Sequence, residues 1–147
     1  MAAESLYKEV LLDHFHHPRN KGDLAGADVA RRGSNPRCGD DLEVGVDFDG
    51  DTLTRVRFHG RGCSICIASA SMMTDAVVGK SRPEVAALYQ ALRSAFVSTS
   101  GAAGPPPAPL LPLAAVQKHP ARHRCVLLAW EALEKALDAG QPMVQSD

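Results

Sequence analysis

The sequence predicts a small antiparallel sheet covered on one face by helices. Two observations support this prediction. Apolar residues alternate with polar or small ones over residues 42–48 and again over 54–58, which is the pattern of strands that bury one face. On both sides of this block, apolar residues recur at helical spacing. Because one face of the sheet is apolar, we expect helices to cover it.

The first half of the chain predicts one helix and three strands. Residues 5–16 repeat apolar side chains at helical spacing, and Pro18 ends the helix. A first strand is expected at residues 27–32. The two strands already named follow it, and Asp49-Gly50 between them is a strong hairpin-turn signal. The three strands therefore form a meander.

The second half predicts helices. One is expected to begin at residue 63 or 64 and to end near Gly79, a typical C-terminal glycine. Ser81 is the expected N-cap of the next helix, whose apolar stripe runs as far as Phe96. The last helix is expected over residues 122–139, where apolar residues again repeat at helical spacing.

Composition limits the classes of function. A chain of 147 residues is the size of one domain, and we expect a single domain over residues 1–147. A formal net charge of −1 gives no basic field for nucleic acid or an anionic membrane. No apolar run is long enough to span a membrane, and the first five residues do not resemble a secretory signal. We therefore expect a cytoplasmic protein.

Two segments interrupt this pattern. Residues 98–113 are rich in serine, glycine, alanine and proline, and are predicted to be a surface insert. Residues 140–147 follow the last periodic helix and are predicted to be a flexible tail.

The cysteines are the candidate functional residues. Cys38 is expected in a turn between strands, Cys63 at a helix start, and Cys125 in the first turn of the last helix. Helix N-termini favour the thiolate, which is the form that binds metal or attacks sulfur. Asp40 lies two residues after Cys38 and offers a carboxylate. Three thiolates and a carboxylate suit tetrahedral Zn²⁺ or partly ligate an iron–sulfur cluster. The spacing alone matches no simple zinc-finger formula and fits buried, inert cysteines better than a metal site.

Other residues give weaker signals. Cys63-Ser64-Ile65-Cys66 has the Cys-x-x-Cys spacing of redox centres, but no βαβ unit surrounds it. Cys66 is therefore expected to be a small buried hydrophobic residue. His119 and His123 flank Cys125 in the sequence and are candidate neighbours of the site.

The cysteine motifs resemble those of the U-type iron–sulfur cluster assembly proteins, the IscU/NifU-like family. The resemblance covers nearly the whole chain in the correct order. Its most specific segments are Asn35-Pro36-Arg37-Cys38-Gly39-Asp40, Gly62-Cys63-Ser64-Ile65, residues 68–74 and Arg122-His123-Arg124-Cys125.

This resemblance implies an α+β fold in which a three-stranded antiparallel sheet packs against about four to five helices. It also implies that Cys38, Asp40, Cys63 and Cys125 converge as metal ligands at one exposed end. Members of the family receive persulfide sulfur from a cysteine desulfurase, and many assemble a [2Fe–2S] cluster for transfer to apo iron–sulfur acceptor proteins.

Within the family, the chain resembles the zinc-binding SufU-type branch. Arg124 stands where the classical scaffolds have a histidine before the third cysteine, and Arg122 lies three residues before that cysteine. The branch implies a zinc-dependent sulfurtransferase that works with a SufS-type desulfurase. In that interpretation, Cys38 is the expected persulfide acceptor, and Arg122 is expected to stabilise thiolate or Asp40 during the exchange.

Three alternatives remain open from the sequence. The ligands could instead hold iron or a [2Fe–2S] cluster, with Cys38, Cys63 and Cys125 as its sulfur ligands. The chain could be a structural zinc module that only binds a partner. It could also be a dithiol oxidoreductase that uses Cys63 and Cys66.

Overall fold

A computed structural model of the chain describes residues 2–35, 39–97 and 104–139. In chain order the elements are α1 (Ala2–His16), β1 (Val29–Asn35), β2 (Asp40–Asp49), β3 (Thr52–Arg61), α2 (Ser64–Val77), α3 (Arg82–Val97) and α4 (His123–Ala139). Two short 3₁₀ helices, Ala108–Val116 and Pro120–Arg122, precede α4. The predicted α+β class, a three-stranded sheet with helices, is confirmed.

The sheet is an antiparallel meander in the order β1-β2-β3. Gly50 takes a positive φ of 63° in the turn between β2 and β3, at the position where the Asp-Gly signal predicts a hairpin. The first strand is Val29–Asn35 rather than residues 27–32, because its pairing with β2 continues as far as Asn35 opposite Asp40. This longer pairing places the last residue of β1, Asn35, opposite the first residue of β2, Asp40, at one end of the sheet.

Helices α2 and α4 cover the apolar face of the sheet. The core combines the inward residues of β2 and β3 with α2 and α4, and includes Leu42, Val44, Phe58, Met73 and Trp130. At Gly33, a Cβ atom would lie 3.0 Å from the carbonyl oxygen of Leu128, so the absent side chain lets β1 approach α4 closely. Ser69 Oγ donates a buried hydrogen bond to the Val126 carbonyl over 2.6 Å and ties α2 to α4.

Helix α1 is tied to α2 by polar side chains. His14 Nδ1 lies 2.7 Å from Ser71 Oγ, which also accepts the backbone N–H of Arg19 at 2.8 Å. Asn20 Nδ2 donates to Thr74 Oγ1 over 3.0 Å. These contacts hold the end of α1, and the residues that follow it, against the second half of α2.

The predicted surface insert at residues 98–113 is partly wrong. Residues 98–103 lie outside the described residues. Within Ala108–Val116, however, Leu110 and Leu113 are fully buried against the helical layer. Side chains three residues apart eclipse in a 3₁₀ helix, so leucines at this spacing line one side. The proline-rich composition predicts a loop, whereas the spacing of the leucines indicates burial.

Helix α3 begins with the predicted cap. Glu84 N–H donates to Ser81 Oγ at 3.3 Å, and Glu84 Oε1 accepts the N–H of Ser81 at 2.9 Å. This reciprocal pair is a capping box. The predicted flexible tail at 140–147 lies outside the described residues. Within the described part of the chain, the helices are too short or too polar to cross a membrane.

Candidate metal centre

Three predicted ligands come from the starts of three different elements, which meet at one end of the strands. Asp40 opens β2, Cys63 is the N-cap of α2 directly after β3, and Cys125 lies in the first turn of α4. Asp41 pairs with Arg61 in the hairpin, so Asp40 comes opposite the residues that lead into α2. The topology therefore brings residues distant in sequence to one place.

The donor atoms of Asp40, Cys63 and Cys125 all lie within 4.8 Å of one another. The backbone N–H of Cys63 donates to Asp40 Oδ1 over 3.0 Å, which fixes the carboxylate against the start of α2. Asp40 and Cys125 are buried, whereas Cys63 is half-buried and reachable from solvent. Cys38, the fourth predicted ligand, lies outside the described residues, two positions before Asp40.

The electrostatics of the metal-free site keep one thiol protonated. Burial raises the pKa of Cys125 well above its ordinary value, and the neighbouring Cys63 and Asp40 raise it further. Negative charge on Cys63, followed by a hydrogen bond to Cys125, raises the pKa of Arg122. Arg122 is thus a permanent cation beside Cys63 and Cys125.

The site fits a bound cation. Asp40 Oδ2 is buried and has no hydrogen-bond partner among the described residues. A buried carboxylate oxygen without a partner is costly, and coordination to a metal ion removes that cost. Thiolates with a carboxylate are a donor set that Zn²⁺ accepts in tetrahedral sites. The residues present thus suit zinc in both chemistry and placement.

Cys66 is not part of the described group of candidate ligands, which consists of Asp40, Cys63 and Cys125. Its side chain is fully buried in the core, as the sequence predicts. A Cβ at Gly62 would lie 2.9 Å from Cys66 Sγ and 3.3 Å from Asp40 Oδ1. The absence of a side chain at Gly62 therefore makes room for both Cys66 and the Asp40 carboxylate.

The two candidate histidines have different surroundings. The ring of His123 lies 2.9 Å from the Phe96 carbonyl and 2.8 Å from the Gln117 carbonyl, one nitrogen to each. It also contacts the Phe96 ring edge-on. His119 is exposed and lines a groove beside the site. Within the described residues, the group of candidate ligands contains no histidine.

Sequence reasoning did not identify the part that the first helix plays. Lys8 and Leu11 of α1 line the same groove as Ser64 and Arg122. Pairing of α1 with the start of α2 is a long-range contact, and the helical periodicity of residues 5–16 gives no signal of it. Gly62 belongs to one of the cysteine motifs, but the crowding around it exists only in three dimensions.

Comparisons with known proteins agree with this architecture. The model of the NifU-like N-terminal domain matches residues 6–105. The chain is 37% identical to the zinc-dependent sulfurtransferase SufU of Bacillus subtilis over 134 residues, which is 91% of this chain and 90% of that protein. It is 39% identical to the iron–sulfur cluster assembly scaffold protein IscU of Streptococcus pyogenes over 132 residues, or 90% of this chain and 82% of that protein.

A solved structure shares the fold. The crystal structure of the N-terminal part of a NifU-like protein from Brucella abortus superposes with a TM-score of 0.80 at 21% identity, covering 94% of this chain and 98% of that one. The family match covers residues 6–105, more than half of the sequence, so the chain belongs to the family of NifU-like N-terminal domains.

Proposed function

We propose that this protein takes part in iron–sulfur cluster assembly by accepting persulfide sulfur from a cysteine desulfurase at a zinc-bound thiol group. The observation that carries the proposal is the convergence of Asp40, Cys63 and Cys125 within 4.8 Å of one another. The similarity to a protein named as a zinc-dependent sulfurtransferase, over nine-tenths of both chains, supports it.

The residues that would hold zinc are Cys38, Asp40, Cys63 and Cys125. When bound, zinc keeps its thiol ligands deprotonated at neutral pH. This matters most for Cys125, whose burial otherwise favours the protonated form by raising its pKa. Asp40 would supply Oδ2, which has no hydrogen-bond partner among the described residues, while its Oδ1 accepts the N–H of Cys63.

Cys38 is the proposed acceptor. In the sequence it falls between the end of β1 at Asn35 and the start of β2 at Asp40. Cys63 and Cys125 stand at the starts of α2 and α4, so their release from a metal would disturb a helix. The Cys38 thiolate attacks the outer sulfur of the donor's persulfide. The sulfur–sulfur bond of the donor breaks, the donor's cysteine leaves as a thiolate, and Cys38 carries the persulfide.

Arg122 is the proposed charge-balancing residue. Its guanidinium contacts the sulfur atoms of both Cys63 and Cys125. When Cys38 turns from ligand to acceptor, the remaining thiolates and Asp40 keep their negative charge. A fixed cation beside them stabilises that charge through the exchange.

The experiment is sulfur transfer from a desulfurase supplied with ³⁵S-cysteine. We expect wild type to take up label, Cys38→Ser to take up none, and Cys66→Ser to take up label as wild type does. Arg122→Gln should keep its metal and accept sulfur more slowly. Equal labelling of Cys38→Ser and wild type would remove Cys38 as the acceptor.

A second candidate function is that of a scaffold that builds a [2Fe–2S] cluster as cargo for apo iron–sulfur proteins. The same thiols could hold it, and the Streptococcus pyogenes relative is named as such a scaffold. Anaerobic reconstitution with iron and sulfide separates the two functions. The first predicts tightly retained zinc and no stable cluster, and the second predicts a cluster that passes to an apo-ferredoxin.

A purely structural zinc module is the third alternative. A closed structural site excludes exchange of its ligands, whereas Cys63 is half-exposed here. We therefore favour a working site. The proposed setting is the cytoplasm, with a SufS-type desulfurase as the sulfur donor and apo iron–sulfur proteins as later recipients.

A further inference from the structure

A groove of about 590 Å³ lies directly beside the thiol group. It forms where α1, the first turn of α2 and the two 3₁₀ helices meet. Its floor is apolar and mostly buried, and consists of Leu11, Ile65, Ala115 and Val116. Its rim is exposed and carries Lys8, Ser64, Lys118, His119 and Arg122.

The charge of this groove is of one sign. Among its described lining residues there are two lysines, one arginine and one histidine, and none is acidic. The whole chain has a formal net charge of −1, so this basic rim is a local feature. A rim of one sign around an apolar floor favours a partner that carries an apolar anchor between acidic side chains.

The groove adjoins the candidate ligands through two of its lining residues. Arg122 lines it and also contacts the sulfur atoms of Cys63 and Cys125. Ser64, on the rim, follows Cys63 directly in α2. A segment bound in the groove therefore lies beside two residues that adjoin the candidate ligands, Ser64 and Arg122.

We propose that this groove receives an acidic segment of the sulfur-donating protein, with one apolar side chain placed on the Leu11–Ile65–Val116 floor. This inference rests on the proposed function, because sulfur that arrives on a partner's cysteine requires that partner to contact the surface around the thiols. Electrostatic attraction steers the encounter, and the apolar floor retains the segment.

The test is binding of the organism's own cysteine desulfurase, measured by isothermal titration calorimetry at 50 and 500 mM salt. The groove variant is Lys8→Glu/Lys118→Glu, and neither residue is a proposed ligand or acceptor. The matched control is Lys21→Glu/Arg93→Glu, which changes the net charge equally at exposed positions that do not line the groove.

We expect the groove variant to bind the desulfurase on the order of tenfold more weakly at low salt, and the control to bind as wild type does. Wild-type affinity should also fall at 500 mM salt, because exposed charges are screened. Equal binding by the groove variant and wild type, or wild-type binding that is insensitive to salt, overturns the inference.

Two further measurements keep the inference separate from the proposed function. Zinc content of the groove variant should match wild type, since neither lysine is a proposed ligand, and thermal unfolding verifies that the variant is folded. If wild type accepts ³⁵S and the groove variant accepts it equally well at low desulfurase concentration, only the docking inference fails. If wild type binds the desulfurase but accepts no sulfur, the proposed function fails instead.

Discussion

Gly62→Ala is the substitution whose effect follows most directly from the structure. The added methyl group would lie 2.9 Å from Cys66 Sγ, 3.0 Å from Cys66 Cβ and 3.3 Å from Asp40 Oδ1. Cys66 is fully buried in the first turn of α2, so its side chain cannot shift without displacing other atoms of a close-packed core. Overpacking of this kind costs about 1–3 kcal/mol, so we expect that loss in the free energy of unfolding.

The same substitution should also weaken the metal site. The Asp40 carboxylate accepts the Cys63 N–H and lies against the new methyl group, so relief of the clash displaces a proposed ligand. The assays are urea unfolding of the metal-free protein and zinc competition against a chromophoric chelator. We expect both stability and zinc affinity to fall.

A matched control and a rescue make this result specific. A Cβ at Gly22 meets nothing within 4 Å, so Gly22→Ala should change stability by less than about 0.5 kcal/mol. Adding Cys66→Ala to Gly62→Ala removes the 2.9 Å contact and should restore part of the loss, with a coupling free energy of about 0.5–3 kcal/mol. Gly62→Ala that is as stable as Gly22→Ala would refute the packing argument.

Three further outcomes are expected. Burial, followed by Cys63 and Asp40, raises the pKa of Cys125, so the metal-free fold is favoured by the protonated thiol. Its contribution is complete below the unfolded thiol pKa of about 8.5 and is lost above it at up to about 1.4 kcal/mol per pH unit. Urea unfolding of Cys125→Ser should show a shallower alkaline decline, and an identical decline would contradict this assignment. Ser69→Ala removes the hydrogen bond from α2 to the Val126 carbonyl and should lower the free energy of unfolding in urea by about 1 kcal/mol. An unchanged free energy of unfolding would contradict this role for Ser69. Ser81→Ala breaks the capping box of α3 and should cost a similar amount, about 1 kcal/mol, while zinc affinity stays unchanged; a fall in zinc affinity would show that α3 reaches the site.

Local patterns were sufficient to predict the sheet and most of the helices. Alternation over residues 42–48 and 54–58, with the glycine turn between them, is a short-range signal that tertiary contacts did not override. The bounds of β1 were less predictable, because its end is set by pairing with Asp40 on another strand. Pairing of this kind depends on the partner strand rather than on the residues of β1.

The site was predictable in its members rather than in its surroundings. Placement of Cys63 and Cys125 at helix starts, together with the family resemblance, predicted convergence with Asp40, and the structure brings these three together. The crowding between Gly62 and Cys66, and the basic groove that Lys8 shares with Arg122, join residues far apart in sequence. No periodicity or motif reports such contacts.

The buried leucines of Ala108–Val116 show a different kind of failure. Proline-rich composition favoured a surface loop, since proline removes a backbone donor and breaks regular helices. A 3₁₀ helix tolerates the prolines, and its three-residue repeat turns Leu110 and Leu113 to one side. A search for apolar spacing of three would have predicted the burial.

The central claim is that one zinc ion is held by three thiolates and the Asp40 carboxylate. Zinc X-ray absorption on protein purified without added metal tests it most directly, together with elemental analysis. We predict one zinc per chain with three sulfur neighbours and one oxygen neighbour, and loss of one sulfur neighbour in Cys38→Ser. A chain that carries no zinc, or zinc surrounded mainly by nitrogen, would contradict the account.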